Sequence, residues 1–228
     1  VSGDMLYAVS ENKITAYRSV IGALIPVETL AVADVTDLVA ADGYLYALTG
    51  AYAVLKTPAT LSGYTELIAS ASAQVGFYDM PSTCITRKDK AIVADCNNHR
   101  VALVSDDGVS YLDYPFVYPT GVAVDDYGRM YVCHRINIID VFDETGAHLY
   151  TVEAESRILD VFTDSADDVF VRTENGIGRL QNSQVQPLYT GAVEAAAVMP
   201  EGSSIYLYAS GTVSRLENGV PVKVASIG

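Results

Sequence analysis

Tryptophan is absent from the 228 residues, cysteine appears three times, and 14 lysines and arginines stand against 28 acidic residues. Each shortage removes a class of protein. Cys84, Cys96 and Cys133 show no C-x-x-C spacing and cannot all pair with one another, so they read as small apolar core fillers. A net charge of −14, with "RKDK" at 87–90 as the one basic cluster, leaves little to neutralise phosphates. That excludes nucleic acid and anionic membrane as partners. Long apolar runs are missing too. "SVIGALIPV" is interrupted by glycine and proline, well short of the ~18 residues of a membrane span, so no direct membrane insertion is expected. No segment keeps a 3.6-residue periodicity over three turns, and only "TLSGYTELIASASAQ" admits a helical turn. "GAYAVLKTP" lacks the ending of a phosphate loop, and no Gly-x-Ser-x-Gly elbow occurs. No basic region of a signal peptide precedes "VSGD", as expected of a mature or trimmed domain within a longer protein.

What the chain has in quantity is apolar residues, 50% of the total, with 18% charged, enough for a large core. These residues recur on a fixed step. The strands "DMLYAVS", "YLYALTG", "KAIVADC", "RMYVC", "DVFVRTE" and "SIYLYAS" carry Tyr7, Tyr46, Ile92, Tyr131, Phe170 and Tyr206 at intervals of 39, 46, 39, 39 and 36 residues. Ahead of most of these markers lies an apolar strand and an acidic or glycine turn, as in "GVAVDDYG" and "DVFTDSAD". Behind it come a third strand such as "IIDVFDETG" and a fourth such as "AHLYTVE". Alternating apolar and polar residues between Gly, Asp and Asn turns mark antiparallel strands of about five residues.

Four antiparallel strands per repeat of roughly 40 residues predict a β-propeller blade. A lone four-stranded sheet leaves two apolar faces uncovered, so blades must stack around an axis. The predicted fold is all-β: one domain, a six-bladed propeller with blades near 1–34, 35–74, 75–115, 116–156, 157–193 and 194–228. The markers should form a ring of core residues between sheets. The first blade opens at its second strand, so its innermost strand is missing from this chain. The natural protein is expected to continue upstream, or another element to fill the slot, because an open inner edge leaves ladder hydrogen bonds unmade.

Blades three and four carry more specific letters. "PTGVAVDDYGRMYV" followed by "INIIDVFDETG", and "DCNNHRVALVSDDG" with Asn98, His99 and Arg100, resemble the NHL repeat over about 75–146. His134 departs from it, standing where an aspartate follows the Tyr-Val strand. The resemblance implies a propeller whose relatives include protein-binding, RNA-binding and catalytic members.

Loops joining second to third strands emerge on the same face as the connectors between blades, a rim suited to binding. Over blades three and four that face would present Tyr78, Asn98, His99, Phe116, Tyr118, His134 and Arg135. Aromatic, arginine and amide groups of this kind favour a protein, peptide or carbohydrate ligand, with no catalysis and no cofactor. The alternative is a metal-dependent hydrolase or lyase resembling gluconolactonase-like propellers. It would hold calcium on the axis through Asp37, Asp160 and Glu194, near the starts of inner strands. Zinc, as in NHL-like amidating lyases, needs three good ligands, and three histidines in all, with His148 on an outer strand, fall short. An acidic chain with 16 tyrosines and few lysines suits an extracytoplasmic or cell-surface domain.

Overall fold

The computed structural model describes residues 5–10, 12–20, 23–41, 43–49, 53–62, 66–70, 82–85, 91–105, 108–134, 136–164, 166–198 and 204–226. They form six antiparallel sheets, each built from consecutive strands. Blade one has three strands, β1 (Met5–Ser10), β2 (Lys13–Val20) and β3 (Ala23–Ala31). Blade two follows with β4 (Val35–Ala41), β5 (Tyr44–Thr49), β6 (Ala53–Pro58) and β7 (Glu66–Ser70). The stretch that admitted a helical turn thus supplies a fourth strand instead. Blade three holds β8 (Ser82–Ile85), β9 (Ala91–Asp95), β10 (Arg100–Ser105) and β11 (Gly108–Tyr111). Blade four holds β12 (Gly121–Val124), β13 (Met130–His134), β14 (Ile138–Phe142) and β15 (His148–Glu153). Blade five holds β16 (Ile158–Thr163), β17 (Val169–Thr173), β18 (Gly176–Gln181) and β19 (Gln184–Thr190). Blade six closes with β20 (Ala195–Val198), β21 (Ile205–Ala209), β22 (Thr212–Glu217) and β23 (Val220–Ser226).

The second strands are the most apolar because both their faces are covered, and β9 and β13 are buried at every position. The marker residues occupy one register position throughout, pairing Tyr46 with Lys56, Ile92 with Leu103, Tyr131 with Val141 and Phe170 with Arg179. Five of the six are buried, and half-buried Tyr7 donates its hydroxyl to the Ala59 carbonyl of the next blade at 2.7 Å. Core clusters span blade boundaries. Ile92, Ala94 and Val101 of blade three pack with Val122, Val132 and Phe142 of blade four. Tyr131, Ile139 and Val141 of blade four pack with Val161, Val169 and Val171 of blade five. At ~25 cal/mol per Å² of apolar surface, this inter-sheet burial is the main source of cohesion.

The turns follow one recipe. Asp125, Asp143 and Asp164 each accept backbone N–H groups two and four residues on, at 2.9–3.0 Å, through a single carboxylate oxygen. These aspartates fold the hairpins, as expected of Asx turns. Cys96 and Cys133 are buried.

Candidate functional site

The connectors and the loops between second and third strands lie on one face. Over blades three and four that rim is held by two histidines. After β9 a short 3-10 turn, Cys96–Asn98, ends at His99 in left-handed backbone with φ 54°. Beneath it the fully buried Asp95 carboxylate receives Asn98 Nδ2 at 2.9 and 3.0 Å and Arg100 Nε at 2.7 Å. Asn98 and Arg100 of the Asn-His-Arg stretch are thereby tied to the turn. His99 is exposed, and its Nδ1 accepts the Tyr118 backbone N–H at 3.1 Å while the two rings meet edge to face at 4.3 Å. One residue earlier, the Val117 N–H donates to Nδ1 of His134 at 3.3 Å. Two imidazoles thus grip consecutive amides of the connector between blades three and four.

His134 is buried, and its other nitrogen, Nε2, lies 2.5 Å from Asp140 Oδ2. Because Nδ1 accepts from Val117, the proton sits on Nε2 and is donated to the carboxylate. Asp140 also receives His148 Nε2 at 3.0 Å and the Thr151 hydroxyl. Burial alone would raise the Asp140 pKa, but hydrogen bonds from Thr151, His134, Tyr114 and His148 outweigh it and hold the carboxyl below its ordinary value. Tyr114 stacks on His148 at 5.2 Å, and Phe116, with 3% exposure, packs against His134 and Phe142. Phe116 and His134 therefore support the rim from below.

Tyr118, 52% exposed, and Val117 reach solvent on the connector that His99 holds, while Ile136, 66% exposed, does so on the loop between β13 and β14, where its carbonyl accepts the Ile158 N–H of blade five at 2.7 Å. Tyr118 has φ 50° and Ile136 φ 77°, left-handed values uncommon for non-glycine residues and rarest for a β-branched one such as isoleucine. Tyr78 and Arg135 lie outside the described residues.

A second constellation sits on the axis. By register, Asp37, Ser82, Gly121, Asp160 and Ala195 occupy one equivalent position at the start of the inner strands. Blades two and five stand opposite each other in a ring of six. In both, the ladder shifts just before the aspartate, between Val35 and Asp37 and between Ile158 and Asp160. Such bulges re-aim a side chain. Each carboxylate then accepts the next backbone N–H, from Leu38 at 2.8 Å and from Val161 at 2.9 Å. Burial, then the negative charge of Asp37, push the Asp160 carboxyl up to about 7, against attraction from Arg172 and the Val161 N–H. Arg172 sits beside Asp160 in the ladder; its Nη1 donates to the Val193 carbonyl at 3.4 Å, while its buried Nε has no partner. Glu194 is turned elsewhere: exposed, it accepts the Ser210 N–H at 2.9 Å. Among the described residues no three His, Cys, Asp or Glu side chains come together as a metal site. Two carboxylates fall short of the six to eight oxygens that calcium takes.

The sequence had marked His99, Tyr118, Asp37 and Asp160. It gave no notice of Ile136, Arg172 or the pairing of Asp140 with His134 and His148. A lone acid inside the apolar strand "IIDVF" was the available signal for the last.

Sheets of consecutive antiparallel strands around an axis define a six-bladed β-propeller. No family model matches the sequence, and no curated protein matches it either. Solved structures do match in fold. Virginiamycin B lyase from Staphylococcus aureus is similar with a TM-score of 0.64 at 14% identity, over 97% of this chain and 84% of that one. The WD40 β-propeller domain of Doa1 gives 0.65 at 17% identity, over 93% and 74%. A protein of unknown function from Bacteroides caccae gives 0.67 at 11% identity, over 96% and 92%. At these identities the likeness defines the fold; the neighbours include a lyase and a WD40 domain.

Proposed function

We propose that this propeller, an NHL-like one, is a non-catalytic recognition module that binds a partner through the rim over blades three and four. The observation that carries the proposal is the joint exposure of His99, Tyr118 and Ile136 on left-handed backbone. Non-glycine residues held there cost of order 1 kcal/mol or more each, and such strain concentrates at functional positions. Of the ligand classes weighed, protein, peptide and carbohydrate, an exposed aromatic ring next to Val117, with Ile136 exposed on the neighbouring loop, favours a peptide or protein. A sugar platform would surround the ring with polar groups. The charge of −14 favours a basic partner segment and salt-dependent association.

Two variants test this on peptide and glycan arrays. Tyr118→Ala should abolish binding at unchanged thermal stability, since the side chain is half exposed. Ile136→Gly should lose binding yet gain about 1 kcal/mol, because glycine accepts φ 77° without strain. Binding unchanged in both removes the rim from the reading.

A second reading, a hydrolase or lyase acting on the axis, rests on the opposed Asp37 and Asp160 with Arg172 beside them. Following the Asp160 titration by NMR with calcium or zinc added tests it. A downward displacement of the titration by either ion supports an axial cation site, and an unmoved titration counts against one.

A further inference from the structure

The connector that carries Tyr118 is fixed to backbone carbonyls at its two ends and to imidazoles between them. The Phe116 N–H donates to the Tyr114 carbonyl at 2.9 Å, and the Thr120 N–H to the Cys133 carbonyl at 2.8 Å. Pro119 has no N–H to give. The two amides left, Val117 and Tyr118, donate to Nδ1 of His134 and Nδ1 of His99. An imidazole nitrogen accepts a hydrogen bond only while it carries no proton. Each ring is therefore neutral in this arrangement, with its proton on Nε2. The anchors are stiffer than the segment they hold. His99 ends a turn tied down by its own N–H to the Cys96 carbonyl at 3.1 Å and by the ion pair of Asp95 with Arg100. His134 is buried and bonded to Asp140. Tyr118, by contrast, is held at φ 50° with its side chain half in solvent. Left-handed backbone in a tyrosine relaxes once its restraints go.

We propose that this connector is a proton-released strap: the neutral rings of His99 and His134 hold it, and a second proton arriving at either Nδ1 frees the amide which that nitrogen held. Two donors then face each other, and the strained segment lifts. Imidazoles take up such a proton between about pH 8 and pH 5. About His99 the described charged and titratable groups are Asp95, Arg100 and Tyr118, and Asp113 stands exposed on the connector itself. About His134 they are Asp140, His148 and Tyr114. Asp140 sets the direction at His134. Against the effect of burial, hydrogen bonds from Thr151, His134, Tyr114 and His148 hold its carboxyl below the ordinary value. It is still negative where imidazoles titrate, and it draws the second proton to His134. The released connector thus binds more protons than the held one. By linkage the held fraction falls as pH drops, by up to about tenfold per unit for each ring that titrates. The consequence for binding rests on the recognition reading above. A basic peptide captured at neutral pH is let go on acidification, because affinity scales with the fraction of chains in the competent form.

The test reads amide exchange by NMR and needs no partner. Protection factors of Val117 and Tyr118, corrected for the intrinsic pH dependence of exchange, should each fall at least about tenfold between pH 8 and pH 5. Val132 in β13 should keep its protection over the same range. His99→Asn is the control: its Oδ1 stands where Nδ1 stood, it does not titrate, and asparagine accepts left-handed backbone. In that variant the fall at Tyr118 should shrink to less than about threefold while the fall at Val117 persists. His99 is exposed, so the variant folds. Flat protection at both amides in the wild type overturns the proposal, as does an equal fall at Tyr118 in the wild type and in His99→Asn. The recognition reading fails on a different result, array binding unchanged in Tyr118→Ala and Ile136→Gly.

Discussion

Replacing Asp160 by asparagine isolates the axial charge pair. The Asp160 carboxyl is pushed from its ordinary 3.8 to about 7, first by burial and then by Asp37. Between those values the folded chain holds a proton that the unfolded chain has released. Stability therefore declines as pH rises through this window and levels off above about pH 7. Each unit of displacement corresponds to about 1.4 kcal/mol, so full ionisation costs on the order of 2–4 kcal/mol once the sharing with Asp37 is allowed for. Domains of 150–250 residues move by roughly 2–4 °C per kcal/mol. Asparagine keeps the oxygen that accepts the Val161 N–H and never ionises. Differential scanning calorimetry from pH 5 to 8 should show the wild-type midpoint falling about 5–10 °C more than that of Asp160→Asn. The variant should be the more stable protein at pH 8. Parallel profiles would mean that the Asp160 carboxyl keeps its ordinary value in the folded chain, raised neither by burial nor by Asp37.

Two further substitutions probe the scaffold. Gly176→Ala places a Cβ 2.0 Å from the Tyr189 carbonyl oxygen at φ 144°, so urea denaturation should show a loss of about 3 kcal/mol or more. Asp125→Asn puts an amide donor among the donors that meet at a buried carboxylate, the Tyr127 and Arg129 N–H groups, Arg129 Nε at 2.6 Å and the Tyr131 hydroxyl at 3.0 Å. It should cost about 2–4 kcal/mol in the same assay, and a loss below 0.5 kcal/mol would show that the carboxylate is not needed there.

Blade count, strand order and the markers were legible because each depends on spacing and alternation along the chain. Tyr131 or Phe170 announces a covered strand by its neighbours alone. The three strands of the first sheet could be read as well, since they follow from the phase of the repeat. Side-chain partnerships were less accessible. Asp140 meets His148 only because β14 and β15 pair Asp140 with Thr151 and Phe142 with His148, with an irregularity between Val141 and Phe142. A one-residue slip there would send the carboxylate to the other face. Glu194 and Asp160 looked alike as acids near inner-strand starts. A bulge aims one toward the axis, and the other, one residue ahead of β20, bonds a turn. Ile136 gave no signal because what sets it apart is a backbone angle and not its residue type.

Because every sheet is made from neighbouring stretches of chain, most pairing partners lie within a few dozen residues of each other. The seam where β23 meets β3 joins sequence extremes instead, so its formation carries the largest loop-closure cost. Assembly can proceed sheet by sheet from the middle, with that junction last to form and first to part under load. A protease offered the native protein would then cut near the two ends long before it reached Tyr131, releasing a resistant arc of central sheets.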